Sequence, residues 1–124
     1  MNIKTAKNKF TPMSETMLYI LMSLIEERHG YGIMQHVKEI TNGRIVLGAG
    51  TIYQTLIKLE KGELIKSTKE MDRKKFYIVT EIGKQILLEE KMRITEIAKN
   101  MEGLIWLNYS QHLFILFQPI MKSG

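Results

Sequence analysis

Few side chains in this sequence are suited to catalysis, and their spacing rules most chemistry out. There is no cysteine, which excludes thiolate nucleophiles, disulfides and thiolate metal sites. His29, His36 and His112 are too widely spaced for a metal cage. None of them sits in a nucleophile–carboxylate arrangement, and His29 reads as the C-terminal residue of a helix. Glu26-Glu27 and Glu89-Glu90 are adjacent on helical stretches, so their side chains diverge by about 100° and cannot converge on a substrate. Gly48 and Gly50 precede a helix, but no Lys-Thr or Lys-Ser pair follows, so no nucleotide loop forms. Neither an enzyme nor a cofactor is expected. The remaining chemistry is that of a polyanion binder. Thr51, Gln54 and Lys58 share one side of a helical stretch, and Gln and Lys can bond base edges, Gln suiting adenine and Lys guanine. Residues 66–75 hold five basic and two acidic residues, a net charge of +3.

The whole chain agrees with that chemistry. It has 124 residues, 44% hydrophobic and 25% charged, with a net charge of +5. This is the size and composition of one globular domain, and its basic balance suits a polyanionic partner. The N-terminus has no apolar stretch before a small-residue cleavage site, so the cytoplasm is the expected compartment.

The elements that must position these residues follow from periodicity. Residues 1–10 read as a loose basic arm carrying Lys4, Lys7 and Lys9. Thr11-Pro12 suits a helix opening, with Ser14 a rival cap, and apolar residues from Met17 to Ile25 carry that helix toward Arg28. Gly30 and Gly32 interrupt it. A second helix spans about 31–41 and stops at Asn42-Gly43. Residues 44–47 form a short β-prone run. A third helix spans about 50–62, with Ile52, Leu56 and Leu59 as its buried stripe. Thr51, Gln54, Lys58 and Lys61 therefore face out, with Tyr53 at the boundary. Residues 64–68 and 76–80 read as two strands joined by a polar loop, 69–75. Thr80 caps a last helix running to about Leu104. Along it Leu87, Ile94, Ile97, Met101 and Leu104 make a heptad-like seam, broken by Glu90, that predicts a homodimer.

Three helices and a two-stranded wing make a winged helix-turn-helix, mainly α with a small β element. The expected organisation is a DNA-binding domain over 11–80, a dimerisation helix over 81–105 and an apolar tail over 106–124. The third helix would enter a major groove of double-stranded DNA. Thr51, at its start, would hold a phosphate with its hydroxyl and free backbone N–H groups. Tyr31, opening the second helix, has two readings, a phosphate contact or a place in the core. Tyr53 has two as well, phosphate contact or packing on the wing.

Several segments in order resemble the PadR-type transcriptional regulators. They are Ser14-Glu15-Thr16, His29-Gly30-Tyr31-Gly32-Ile33, Leu47-Gly48-Ala49-Gly50-Thr51-Ile52-Tyr53, Leu59-Glu60-Lys61, Arg73-Lys74-Lys75-Phe76-Tyr77 and Thr80-Glu81-Ile82-Gly83. The similarity covers roughly residues 13–105. It implies a winged-helix repressor that binds a two-fold operator and is released by a small molecule or another cue. It implies dimerisation through the first and last helices, which brings Leu21 to the interface. It also implies that Gly50, Thr51 and Tyr53 open the recognition helix and that Arg73, Lys74 and Lys75 form the basic wing. The wing departs from the family in favouring lysine and in containing Asp72. Some relatives stack flat aromatic drugs on a Trp of the last helix; Ile94 stands there in this chain, so that site is not carried over.

The tail is the unexpected part. From Gly103 to Met121 there is no charged residue, and 12 of the 19 residues are apolar or aromatic. Polar residues interrupt it, so a membrane-spanning helix is not expected. Burial against a dimer partner or the first helix, an exposed apolar tail and membrane contact are its three readings. They leave an alternative function: a protein-interaction or membrane-associated module that uses the winged helix only as a scaffold.

Overall fold

The computed structural model describes the backbone of residues 1–123 and the side chains of residues 1–113. Five helices and a three-stranded antiparallel sheet follow the order α1 (Ile3–Phe10), α2 (Glu15–Ser23), β1 (Arg28–His29), α3 (Gly30–Ile40), α4 (Ala49–Lys61), β2 (Ile65–Met71), β3 (Lys74–Val79) and α5 (Glu81–Ser123). The fold is a winged helix. Its compact unit is Met1–Glu90, and Lys91–Gly124 forms a second unit.

The N-terminal arm is a helix. The Asn2 side chain accepts from the Thr5 N–H at 2.8 Å, and Ala6 and Phe10, one turn apart, are buried. Thr11 closes this helix, donating from its hydroxyl to the Lys7 carbonyl at 2.7 Å. Ser14 is therefore the cap of α2 and accepts from the Met17 N–H at 3.2 Å. Helix α2 stops at Ser23, well short of Arg28, and Arg28–His29 pairs with β3 as a third strand. His29 thus precedes α3 and does not end α2; its ring lies 5.0 Å from that of Phe76.

Two further expectations are corrected. Residues 44–47 form no strand. Their backbone is engaged by the end of α3, with the Ile45 N–H donating to the Thr41 hydroxyl, while Leu47 drops into the core. The polar segment 69–75 is mostly strand: β2 and β3 run out to a two-residue turn, Asp72-Arg73. Both turn residues have left-handed φ, 52° and 63°, as a type I′ hairpin requires.

The core lies among α2, α3 and α4 and the base of the sheet. Ile20, Leu21, Leu24, Ile33, Val37, Leu56, Leu59 and Leu64 are all 1% exposed or less. Leu21 is covered by the chain's own core, so it offers a dimer partner no surface. The base of the wing is tied down by the Val79 N–H donating to Leu24 and the Thr80 N–H to Leu64. Thr80 then caps α5, accepting from the Gly83 N–H at 3.1 Å.

Helix α5 runs on to Ser123, past the expected end at Leu104. Of the seam, Leu87 packs against the core, and Glu90 is buried and accepts from the Met13 N–H. Ile94, Ile97, Met101 and Leu104 are exposed. Ile105, Trp106, Leu107 and Tyr109 are exposed too. The tail side chains from Phe114 onward lie outside the described residues. Among the described residues, no helix is long and apolar enough to cross a membrane.

Candidate nucleic-acid interface

Helix α4 presents the expected stripe. Ile52, Leu56 and Leu59 are buried at 1% exposure or less, which fixes the helix about its axis. Thr51, Gln54, Lys58 and Lys61 consequently lie on its exposed side. Helical phase adds a residue that periodicity of the polar positions passes over. Ile57, between Gln54 and Lys61 on that side, is 66% exposed. Its only signal in the sequence is spacing, three residues beyond Gln54.

The start of α4 lies against the start of α3. Gly30, Tyr31, Met34, Ala49, Ile52 and Tyr53 line one cavity of about 180 Å³. The Tyr53 hydroxyl reaches 3.6 Å from where a side chain on Gly30 would begin, so Tyr53 lies over the first residue of α3. Tyr31 is exposed, not in the core; its hydroxyl accepts from Gln35 Nε2 at 2.6 Å. That leaves the hydroxyl proton of Tyr31 available to an acceptor. His29 and Gly48, which precede the two helices, make no side-chain cap, so the first N–H groups of both helices have no side-chain acceptor from the residue before them. A methyl group on Gly50 would meet nothing within 4 Å, so packing within the chain does not require a glycine there.

The wing cations differ in what they touch. Lys75 Nζ lies 3.8 Å from Glu60 Oε1 and 5.6 Å from the Tyr77 ring centre. Lys69 Nζ pairs with Glu27 at 3.1 Å and lies over the Phe76 ring. The Thr68 and Lys69 side chains hold the Glu27 carboxyl below its ordinary value. Arg73 and Lys74, at the tip, are exposed and have no carboxylate partner within ion-pair distance among the described residues. The geometry therefore gathers two groups of residues. Tyr31, Gly50, Thr51 and Tyr53 cluster at two helix starts. Gln54, Ile57, Lys58 and Lys61 run along the exposed side of α4.

Residues 5–89 match the transcriptional regulator PadR-like family. An uncharacterised protein of Lysinibacillus sphaericus is 33% identical, covering 68% of this chain and 87% of that protein. Transcriptional regulator YqjI of Escherichia coli is 30% identical over 98 residues, 78% of this chain, and the chain spans about half (47%) of that protein's length. Among solved structures, a PadR family transcription regulator from Clostridium difficile is 30% identical with a TM-score of 0.60, covering 71% of this chain and 97% of that one. With a winged helix that turns one polar side of α4 outward and a family match across most of its length, the chain belongs to the PadR-like family and is a DNA-binding transcriptional regulator.

Proposed function

We propose that the protein is a homodimeric repressor that reads a two-fold operator with α4 and grips the DNA backbone with its wing. The observation that carries this is the exposed side of α4, where Thr51, Gln54 and Lys58 stand clear of the core stripe. Gln54 and Lys58 bond base edges in the major groove. Thr51, Tyr53 and Tyr31 hold phosphates at the two helix starts, where free N–H groups favour anions. Gly50 costs helix stability without serving the core, and the absence of a side chain lets a DNA backbone approach closely. Arg73, Lys74 and Lys75 add sequence-independent attraction.

Dimerisation uses α5. Ile94, Ile97, Met101 and Leu104 are spaced as a seam and exposed, and each buried Leu or Ile contributes roughly 1.5–3 kcal/mol. Leu87 gives only its uncovered part, since it already packs on the core. Release by a small molecule or another cue is what the family resemblance adds, with the cytoplasm as the compartment. The alternative reading, an interaction module, rests on the exposed apolar residues from Leu104 to Tyr109.

The test is a pair of titrations, on a duplex selected by the protein and on a random duplex, at one salt concentration. Gln54→Ala should cost about 1–3 kcal/mol on the selected duplex and little on the random one. Thr51→Val should weaken both alike. Full binding by a variant with Thr51, Gln54 and Lys58 all replaced by Ala would refute the reading and favour the interaction module.

A further inference from the structure

Ile57 is the one large aliphatic residue on the exposed side of α4. The chain buries Ile20, Ile33, Ile52, Ile65 and Ile86 to 2% exposure or less; others such as Ile25 and Ile105 are exposed, but Ile57, at 66%, is the most exposed isoleucine among the described residues. At about 100° per residue, Gln54, Ile57, Lys58 and Lys61 fall on one face, opposite Ile52, Leu56 and Leu59. The apolar group is therefore set among an amide and two ammonium groups. Tyr53, one turn earlier, is also exposed, at 59%, but it ends in a polar hydroxyl and leans over the start of α3 toward Gly30, so it adds no second aliphatic group. A protein partner would call for a broad apolar surface, and this face has a single aliphatic side chain in a basic frame. The complementary surface is an isolated apolar group in strongly negative surroundings.

We infer that Ile57 reads the C5-methyl group of a thymine in the major groove. That methyl is the apolar mark the groove presents; Lys58 stays on a neighbouring base edge, and the phosphates that border the groove suit Lys61. The inference rests on the proposed base-reading role of α4. Three residues of helix rise about 4.5 Å, and successive base pairs are stacked about 3.4 Å apart. The thymine thus lies about one base-pair step from the pair that Gln54 contacts.

The experiment uses a duplex enriched from a random pool by the full-length protein. Each thymine in turn is replaced by deoxyuridine, which differs only in lacking the methyl group. Wild type should bind about fourfold more weakly when one particular thymine of a half-site is replaced, the factor that one buried methyl carries, and about 16-fold more weakly when its counterpart in the other half-site is replaced too. Ile57→Ala should bind the thymine and uracil versions of that site equally. Its melting temperature should match that of wild type, because the side chain is outside the core. A pool that does not enrich overturns the base-reading role of α4 and this inference with it. An enriched site with no methyl-sensitive thymine, or an Ile57→Ala variant that still discriminates, overturns the inference and leaves the role of Gln54 standing.

Discussion

Removing the two wing-tip cations should lower the salt dependence of DNA binding by a calculable amount. Arg73 and Lys74 are the cations to remove, because neither has a carboxylate partner within ion-pair distance among the described residues, whereas Lys75 faces Glu60 at 3.8 Å. Arg73→Gly is a mild change for the hairpin. Position 73 has φ 63°, so the substitution turns Asp72-Arg73 into Asp-Gly, a favoured type I′ pair. Lys74→Gln keeps an exposed polar residue at the start of β3. Each lost phosphate contact lowers the slope of log affinity against log salt by about 0.9. Two contacts per wing remove about 1.8, and two wings per dimer about 3.6. Raising salt from about 50 to about 200 mM should then weaken wild type about 150-fold more than the double variant, or about 12-fold more if only one wing engages. Fluorescence anisotropy on a random duplex across that range measures both slopes. Lys75→Gln alone should change the slope less, since its cation must first leave Glu60, and Glu60→Gln should strengthen binding to every duplex. An unchanged slope in the folded double variant would refute the reasoning, and so would a larger loss from Lys75→Gln than from the pair.

Three other outcomes test the fold and assembly. Gly83→Ala would set a methyl 2.2 Å from the Leu64 carbonyl oxygen, which is backbone and cannot swing away; it should destabilise by about 1–3 kcal/mol, read as a melting temperature about 4–8 °C lower per kcal/mol. Ile97→Lys, at an exposed seam position, should give a monomer by sedimentation and weaken operator binding while circular dichroism stays unchanged. Burial, aided by the charge of Arg28, lowers the His36 pKa below its ordinary 6.5. Neutral His36 therefore favours the fold; its contribution is present above the unfolded value and is lost as pH falls through the lowered one. Thermal melts from about pH 7 to about pH 5 should show a shallower decline for His36→Gln than for wild type.

The parts of the fold that were legible in the sequence are those where one face meets the core. Ile52, Leu56 and Leu59 fixed α4 because helical period and burial coincide there, and the outward residues followed by geometry. Thr80 marked the start of α5 because a cap is a local interaction. The hidden parts depend on distant contacts. Helix α1 is rich in lysine and buries only Ala6 and Phe10, and Phe10 lodges where Gly62 leaves room, 52 residues along the chain. Strand β1 has two residues and hence no period; only its pairing with Phe76 and Tyr77 reveals it. The outer part of the hairpin read as loop because only Ile65 of β2 is buried, so no alternation is written into it. Its turn also lacks the usual glycine and uses Asp72-Arg73. In the candidate site, the helix-face residues were legible, while Ile57 and the Lys75–Glu60 pair needed exposure and distance in three dimensions.

Glu90 shows why the seam of α5 could be found in the sequence but not divided. Spacing alone makes Leu87, Ile94, Ile97, Met101 and Leu104 one stripe with a charged interruption. A carboxylate in a dimer seam would be costly without a partner. The interruption is instead a buried acceptor for the Met13 N–H, at the loop between α1 and α2. An unmet N–H there would cost about 1–3 kcal/mol, so the acid is explained by the chain's own packing. The stripe therefore does two different jobs on either side of it. Before Glu90, Leu87 covers the core of the winged unit. After it, exposure rises from 41% at Ile94 to 69% at Leu104. Only this second part has apolar surface to give a second copy of the chain. Leu21, named for the interface by resemblance, has no such surface to give, because it is buried entirely within the core of one chain.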